Sequence, residues 1–121
     1  MGGDRLAIEF ISTLGMLPTD HVEIAARLGV SKVGLAPCPI AANPHGYPAW
    51  DLRTDPALLR ATKAALAANS VSVSLGEGFL IMGGLEISHA EPIMGVMAEL
   101  GAPAVNTIVM EQDRSRAFDQ F

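Results

Sequence analysis

The chain alternates four times between a short apolar segment typical of a β-strand and a longer segment with the periodicity of an α-helix. We expect strands at residues 6–13, 32–36, 71–81 and 104–110. Parallel strands are joined through a crossover segment such as a helix, whereas a hairpin joins two strands in direct succession. The alternation therefore predicts an α/β fold with right-handed crossovers and a parallel sheet whose strands follow chain order.

Local capping signals predict where the helices begin and end. Four residues suited to accepting hydrogen bonds from free backbone N–H groups mark the expected helix starts: Asp20, Asp55, Ser88 and Asp113. Three residues that tolerate a left-handed backbone mark the expected helix ends: Gly29, Asn69 and Gly101.

Length and composition indicate one domain over residues 1–121, because 121 residues that are 50% hydrophobic suffice for a single core. The net charge of −5 disfavours nucleic acid as a partner, since it leaves no basic surface for phosphates. The apolar runs are strand-length and no signal peptide is recognisable, so we expect a cytoplasmic protein without a membrane span. One cysteine, Cys38, cannot form an internal disulfide, and a role as a small apolar side chain is expected for it.

Residues 71–81 contain the first candidate catalytic group. Large and small side chains alternate up to a Gly-Glu-Gly sequence, which predicts that Val73 and Leu75 face the helices while Ser74 and Gly76 face the opposite side. Glu77 is then expected at the carboxyl end of the strand, where parallel α/β folds hold their chemistry. Glu77 is a candidate general base or metal ligand; the alternative is a solvated loop glutamate.

Candidate substrate-binding residues lie in the long segment 37–53 and along the fourth strand. They are His45, Tyr47, Trp50, Asn106 and Glu111. Clustered aromatic rings suit stacking against a sugar, but they equally suit pinning a proline-rich loop to the body of the protein. We expect His45 and Glu111 to converge with Glu77 at the carboxyl ends of the strands.

Three other polar residues have a structural interpretation. Glu9 lies within an apolar strand, and a structural ion pair with Arg5 or Lys32 is favoured over catalysis. His21 and His89 lie at helix starts, where solvated side chains are expected.

Five stretches of the chain share their pattern with a known family. They are the first strand with Glu9, the helix-to-strand joins ARLGVSKVGLAP and AELGAPAVNTIV, the loop NPHGYPAWDLR and the strand end VSLGEGF. These stretches resemble the amino-terminal half of the sugar phosphate isomerase/epimerase group, which has a xylose-isomerase-like TIM barrel. The resemblance implies four βα units forming a parallel-stranded half of a (β/α)8 barrel, as part of a longer barrel.

The resemblance implies metal-assisted proton transfer next to the carbonyl group of a sugar or hydroxy-carbonyl compound. The expected divalent ion (Mn, Mg, Zn or Co) would take most of its ligands from strands that this chain lacks. Two alternatives stay open: a catalytically inert half-barrel that self-associates, and, disfavoured by the acidic balance, a metal-dependent endonuclease of the same barrel type. A half-barrel leaves sheet edges and one sheet face uncovered, so we expect a homo-oligomer or pairing with a missing second half.

Overall fold

The computed structural model describes residues 5–39 and 43–120 as a mixed α/β fold with a three-stranded parallel sheet. The sheet order is β1-β2-β3. The strands are β1 (Lys32–Leu35), β2 (Ser72–Ile81) and β3 (Val105–Val109). The helices are α1 (Pro18–Arg27), α2 (Pro56–Asn69), α3 (Ala90–Glu99) and α4 (Arg114–Asp119). Parallel pairing in chain order agrees with the sequence prediction.

The strand predicted at residues 6–13 is reduced to one position. Ile8 forms a parallel bridge with Val33, its N–H donating to Lys32 (3.1 Å) and its carbonyl accepting from the Gly34 N–H (2.9 Å). Residues Phe10–Thr13 then form a 3-10 helix, in which the Thr13 hydroxyl is 3.2 Å from the Phe10 carbonyl. Side-chain hydroxyls that bond to nearby backbone compete with strand pairing, so apolar composition alone overestimated this strand.

β2 does not end at the Gly-Glu-Gly sequence as predicted, because the strand bulges there and continues to Ile81. Its pairing register slips against β1 between Val73 and Leu75, and against β3 between Gly76 and Phe79. A bulge inserts an extra residue and reverses the alternation of side chains beyond it. The predicted faces of Leu75 and Gly76 were therefore wrong: Leu75 lines a cavity, whereas a Cβ atom on Gly76 would lie 2.7 Å from Met97 Sδ on α3.

The core lies between the sheet and the helices that cover it. Val33 and Val73 from the sheet and Val22 and Ala25 from α1 are at most 3% exposed. α3 buries one stripe against β2, and this stripe consists of Ile93, Val96, Met97 and Leu100. Spacings of three and four residues place these side chains on one helical face.

Two of the four predicted helix caps are confirmed. Asp55 accepts a hydrogen bond from the Leu58 N–H at 2.9 Å, and Asp113 accepts one from the Arg116 N–H at 3.0 Å. Asp20 does not cap α1, because Pro18, with its fixed φ, already occupies the first turn. Ser88 does not cap α3 either, since it lies inside a 3-10 helix, Ile87–His89, that leads into α3.

Gly29 and Gly101 have the positive φ values expected after helix ends, 71° and 77°. The third predicted terminator is displaced by one residue: Asn69 remains helical and Ser70 takes the left-handed conformation, with φ 53°. Asn69 instead donates its side-chain N–H to the Ala65 carbonyl at 2.8 Å. No helix in the described part of the chain has both the length and the apolar character needed to cross a membrane.

His21 is buried, contrary to the prediction that it is solvated. The ring is 1% exposed and lies between the Thr13 hydroxyl, 2.8 Å from Nδ1, and the Ile8 carbonyl, 3.0 Å from Nε2. Burial lowers the pKa of His21 below its usual range. The neutral ring can donate through Nε2 to the Ile8 carbonyl, and Nδ1 lies within hydrogen-bond distance of the Thr13 hydroxyl, so His21 ties α1 to the segment that precedes β1.

Candidate functional site

A cavity of about 770 Å³ lies along β2 and beyond the carboxyl end of β1. Six parts of the chain supply its walls: residues 9–11, the segment 36–39 after β1, Arg53, residues 75 and 77–80 of β2, residues 85, 89 and 93 around the start of α3, and residues 106 and 108 of β3. Apolar side chains form most of the wall. Its polar and titratable side chains are Glu9, Cys38, Arg53, Glu77, His89 and Asn106.

Glu77 is held in the cavity by Asn106 from the neighbouring strand. The Asn106 Nδ2 group donates to Glu77 Oε2 at 2.7 Å, and Asn106 Oδ1 accepts from the Gly78 N–H at 2.9 Å. The bulge between Gly76 and Phe79 makes this possible, because it leaves the Gly78 N–H free of the regular ladder. A Cβ atom on Gly78 would overlap the Asn106 carbonyl oxygen, so this close approach of two strands requires glycine.

Glu9 faces the same cavity from the segment that precedes β1. Its carboxyl group lies directly over Gly34, where a Cβ atom would overlap Glu9 Oε2. Oε2 is buried and has no hydrogen-bond partner. The predicted ion pair is absent among the described residues: neither Arg5 nor Lys32 pairs with Glu9, and Lys32 points to solvent. The expectation of a structural ion pair was therefore wrong.

Burial raises the pKa of Glu9 above its ordinary value of 4.5, and the nearby Glu77 carboxylate raises it further. Both effects disfavour the charged form, since burial removes water and a like charge repels. Two carboxyl groups with different surroundings in one cavity are a common arrangement for acid and base roles. Glu9 is thus the better candidate to hold a proton.

Arg53 and Cys38 form the opposite polar part of the wall, and Arg53 is already paired. Its guanidinium binds Asp51 in a fork, with Nε 2.9 Å from Oδ1 and Nη2 2.7 Å from Oδ2. This pairing lowers the pKa of Asp51. The Cys38 Sγ lies 3.7 Å from Arg53 Nη2, but burial raises the pKa of the thiol, which agrees with the predicted role as a small apolar side chain.

The aromatic loop predicted to bind substrate lies elsewhere. Trp50 donates its indole N–H to the Gly15 carbonyl at 3.1 Å, and Tyr47 packs edge-on against His45 with ring centroids 5.9 Å apart. Asn43 closes the loop through two hydrogen bonds to the Tyr47 backbone. None of these three aromatic-loop residues lines the cavity. The contacts correspond to the alternative that the rings pin the loop to the body.

Glu111 also lies outside the cavity wall. It accepts hydrogen bonds from the Arg116 guanidinium at 3.1 Å and from the Asp113 N–H at 2.9 Å. These bonds lower the pKa of Glu111. Of the residues predicted from sequence, the cavity therefore brings together Glu77 and Asn106, while His45 and Glu111 have other partners.

Sequence reasoning missed Arg53 and His89 as parts of the wall and assigned Glu9 to structure. His89 lies edge-on to Phe79, with ring centroids 6.1 Å apart. The sequence contains one sign that Glu9 belongs to the site. Glu9 is an acidic residue in an apolar stretch, and a glycine occupies the facing position of the next strand. That pairing depends on the register between residues 8 and 33, which only the folded backbone supplies.

The described residues do not by themselves fit the divalent ion that the resemblance implies. In residues 5–39 and 43–120, no group of three or more His, Cys, Asp or Glu side chains is arranged to hold a metal ion. Glu9 and Glu77 supply two carboxylates, and catalytic sites of this kind usually use three protein ligands or more. Compared with known proteins, the chain matches no family model and no curated sequence. The cavity is therefore the feature of the molecule from which we infer a function.

Proposed function

We propose that this chain is an isomerase or epimerase of the sugar type, which moves a proton on a carbon atom next to a carbonyl group. The observation that carries the proposal is the Glu77 carboxylate, held by Asn106 in a cavity that a second carboxyl group shares. A carboxylate is a suitable base for a proton made acidic by an adjacent carbonyl. The volume of about 770 Å³ suits a small molecule.

The chemistry assigned to this chain's residues is limited to positioning and proton transfer. Asn106 fixes the orientation of Glu77 by donating to one of its oxygens, so the base does not have to be ordered when substrate binds. The walls are mostly apolar, and an apolar environment strengthens charge–dipole interactions relative to water. Arg53, the one arginine in the described part of this wall, is bound by the Asp51 carboxylate through Nε and Nη2.

The finer architecture belongs to the same proposal. Ile8, β1, β2 and β3 occupy four successive parallel positions in chain order, which supports a (βα)4 half of a TIM-type barrel. The assembled barrel would be cytoplasmic, act on a sugar-like small molecule and have no nucleic-acid partner. We propose that the assembled barrel binds the divalent metal ion that the resemblance implies, which is Mn, Mg, Zn or Co.

The proposal is tested by deuterium exchange. Wild-type protein is incubated in D2O with dihydroxyacetone or a ketohexose, and loss of the carbon-bound proton signal is followed by NMR. We expect Glu77→Gln to lower the exchange rate about 100-fold or more, the usual contribution of a general base. Asn106→Asp keeps the acceptor for Gly78 but removes the donor to Glu77, so we expect roughly a tenfold loss.

Gly95→Ala is the matched control, because nothing lies within 4 Å of the added Cβ atom and the site is on the exposed face of α3. It should exchange at the wild-type rate. Wild-type protein that exchanges no faster than the uncatalysed reaction on every compound tried would rule the proposed function out.

The second candidate is a self-associating half-barrel without catalysis. Four exposed apolar side chains near the β3 edge and on α4 favour it: Ile108, Val109, Met110 and Phe118. Groups of exposed apolar side chains are typical of interaction sites. Both candidate functions are compatible with the same structure. The exchange assay distinguishes them, because an inert half-barrel would show no activity.

A further inference from the structure

We propose that Glu9 is the second catalytic carboxyl group of the cavity and acts as the acid that complements the Glu77 base. This inference rests on the proposed function and deepens it. In the step we assign, the Glu77 carboxylate removes the proton from the carbon next to the carbonyl. Glu9, in its protonated form, simultaneously donates its proton to the carbonyl oxygen.

The electrons balance without an outside oxidant or reductant. The breaking C–H bond supplies the pair that forms a carbon–carbon double bond, and the carbonyl π pair takes the proton from Glu9, which gives an enediol. In the return step the enediol's other hydroxyl gives its proton to the Glu9 carboxylate, and Glu77 returns its proton to the neighbouring carbon. Both side chains are then restored, and the product is an isomer of the substrate.

The position of Glu9 has no structural explanation among the described residues. Oε2 is buried without a hydrogen-bond partner, and the side chain forms no ion pair. Leaving a buried polar atom without a hydrogen-bond partner is unfavourable, because the atom has lost its contact with water. Such groups cluster where function requires them, because a folded protein otherwise satisfies or replaces them.

The backbone beneath Glu9 is shaped to admit its carboxyl group. Gly34 sits directly below it, and any side chain there would overlap Oε2. Gly34 is not at a positive φ, so the backbone conformation alone does not call for glycine. The presence of glycine at position 34 is therefore explained by the carboxyl group that fills the space above it.

The electrostatic surroundings favour the acid role for Glu9 over Glu77. Burial and the charge of Glu77 both raise the pKa of Glu9. Glu77 by contrast has Asn106 Nδ2 donating to one of its oxygens, a bond that stabilises a carboxylate. Arg53, the other charged group in this wall, is occupied by Asp51 and does not neutralise Glu9.

The test uses the 121-residue chain and the exchange of dihydroxyacetone protons in D2O over a range of pH. We expect Glu9→Gln to lower the rate about 100-fold and to remove the fall in rate on the alkaline side that ionisation of Glu9 produces in wild type. Glu9→Asp should recover part of the rate. Gly34→Ala should lower the rate by displacing Glu9, whereas Gly95→Ala should leave it unchanged. Thermal unfolding of each variant establishes that it is folded.

The outcomes separate this inference from the proposed function. Exchange lost in Glu77→Gln but retained in Glu9→Gln would leave the proposed function standing and overturn the role of Glu9. The role of Glu9 would also be overturned if the exchange rate of Glu9→Gln fell on the alkaline side as it does in wild type. If wild-type exchange stops in EDTA and returns with Mn²⁺, a metal ion polarises the carbonyl in place of the Glu9 proton, and the inference is wrong. No exchange in wild type would reject both.

Discussion

At the scale of single residues, the half-buried Glu9 and the buried His21 have pKa values shifted in opposite directions. Glu9 lies over Gly34 with an unpaired oxygen, and its pKa is raised. His21 is fully paired, but burial lowers its pKa. Because one group resists becoming an anion and the other resists becoming a cation, both favour the neutral form in the folded protein.

We expect Glu9→Gln to stabilise the protein at neutral pH, because it removes a carboxyl group whose charged form is disfavoured by burial and by the nearby Glu77 carboxylate. A raised folded-state pKa means that wild type loses stability as pH rises from 4.5 through the folded pKa. The difference between variant and wild type should therefore be small at pH 4 and grow toward pH 7. Urea unfolding at both pH values measures it. A destabilised Glu9→Gln variant at pH 7 would contradict the account of Glu9.

We expect the free energy of unfolding to fall as pH decreases below about 6.5, the ordinary pKa of histidine, because the unfolded His21 binds a proton more readily than the folded one. A lowered folded-state pKa gives stability that is present at higher pH and lost on acidification. His21→Gln should lack this part of the pH dependence.

His45→Gln, at an exposed loop position, is the matched control for His21→Gln and should keep the wild-type pH profile. Chemical unfolding between pH 5 and 8 provides the data. Identical profiles for wild type and His21→Gln would show that the buried ring does not control acid stability.

At the scale of elements, the irregularity of β2 builds the site. In a regular strand the N–H groups of alternate residues point to the same neighbour, so Gly78, two residues after Gly76, would have paired with the backbone of β3; the slipped register leaves the Gly78 N–H for the Asn106 side chain. The same irregularity puts Leu75 in the cavity wall and Gly76 against Met97. Bulges are known for re-aiming side chains at functional sites.

We expect Gly78→Ala to destabilise the protein by roughly 2–4 kcal/mol, because the added methyl group meets backbone that cannot move without breaking the pairing of β2 with β3. Gly95→Ala, in an open position on α3, should be neutral or stabilising by up to about 1 kcal/mol. Urea denaturation of the two variants measures the contrast. Equal midpoints for Gly78→Ala and wild type would mean that the two strands are not in the close contact described.

At the scale of the whole molecule, the sheet has an exposed apolar edge. β3 is the last strand of the sheet, and Ile108 and Val109 are 52% and 46% exposed. Phe118 on α4 is 82% exposed. Edge strands with apolar exposure pair readily with another chain, which agrees with the proposal that this chain is half of a barrel.

We expect the 121-residue chain to form dimers or larger assemblies at micromolar concentration, and Ile108→Ser with Phe118→Ser to shift it toward monomer, because both changes remove apolar area from the interface. Leu28→Ser is the matched control, since Leu28 is 67% exposed but follows α1, outside the β3 edge and α4. Light scattering coupled to gel filtration measures the mass. A folded wild-type monomer at these concentrations would contradict the expected association.

The sequence by itself determined those features that depend on residues a few positions apart. Caps at Asp55 and Asp113, left-handed turns at Gly29 and Gly101, and the buried stripe of α3 follow from hydrogen bonds and spacings within one or two helical turns. The parallel order of the strands followed from the alternation of elements.

Only the tertiary structure decided what surrounds the carboxyl groups. The pairing register of Ile8 with Val33 decides whether Glu9 forms an ion pair or lies over Gly34. The pairing register of β2 with β3 decides whether Glu77 ends a strand or projects from a bulge. The burial of His21 depends likewise on where α1 packs. These three features depend on contacts between residues that are distant in sequence. Local propensity carries no information about the register in which such residues pair.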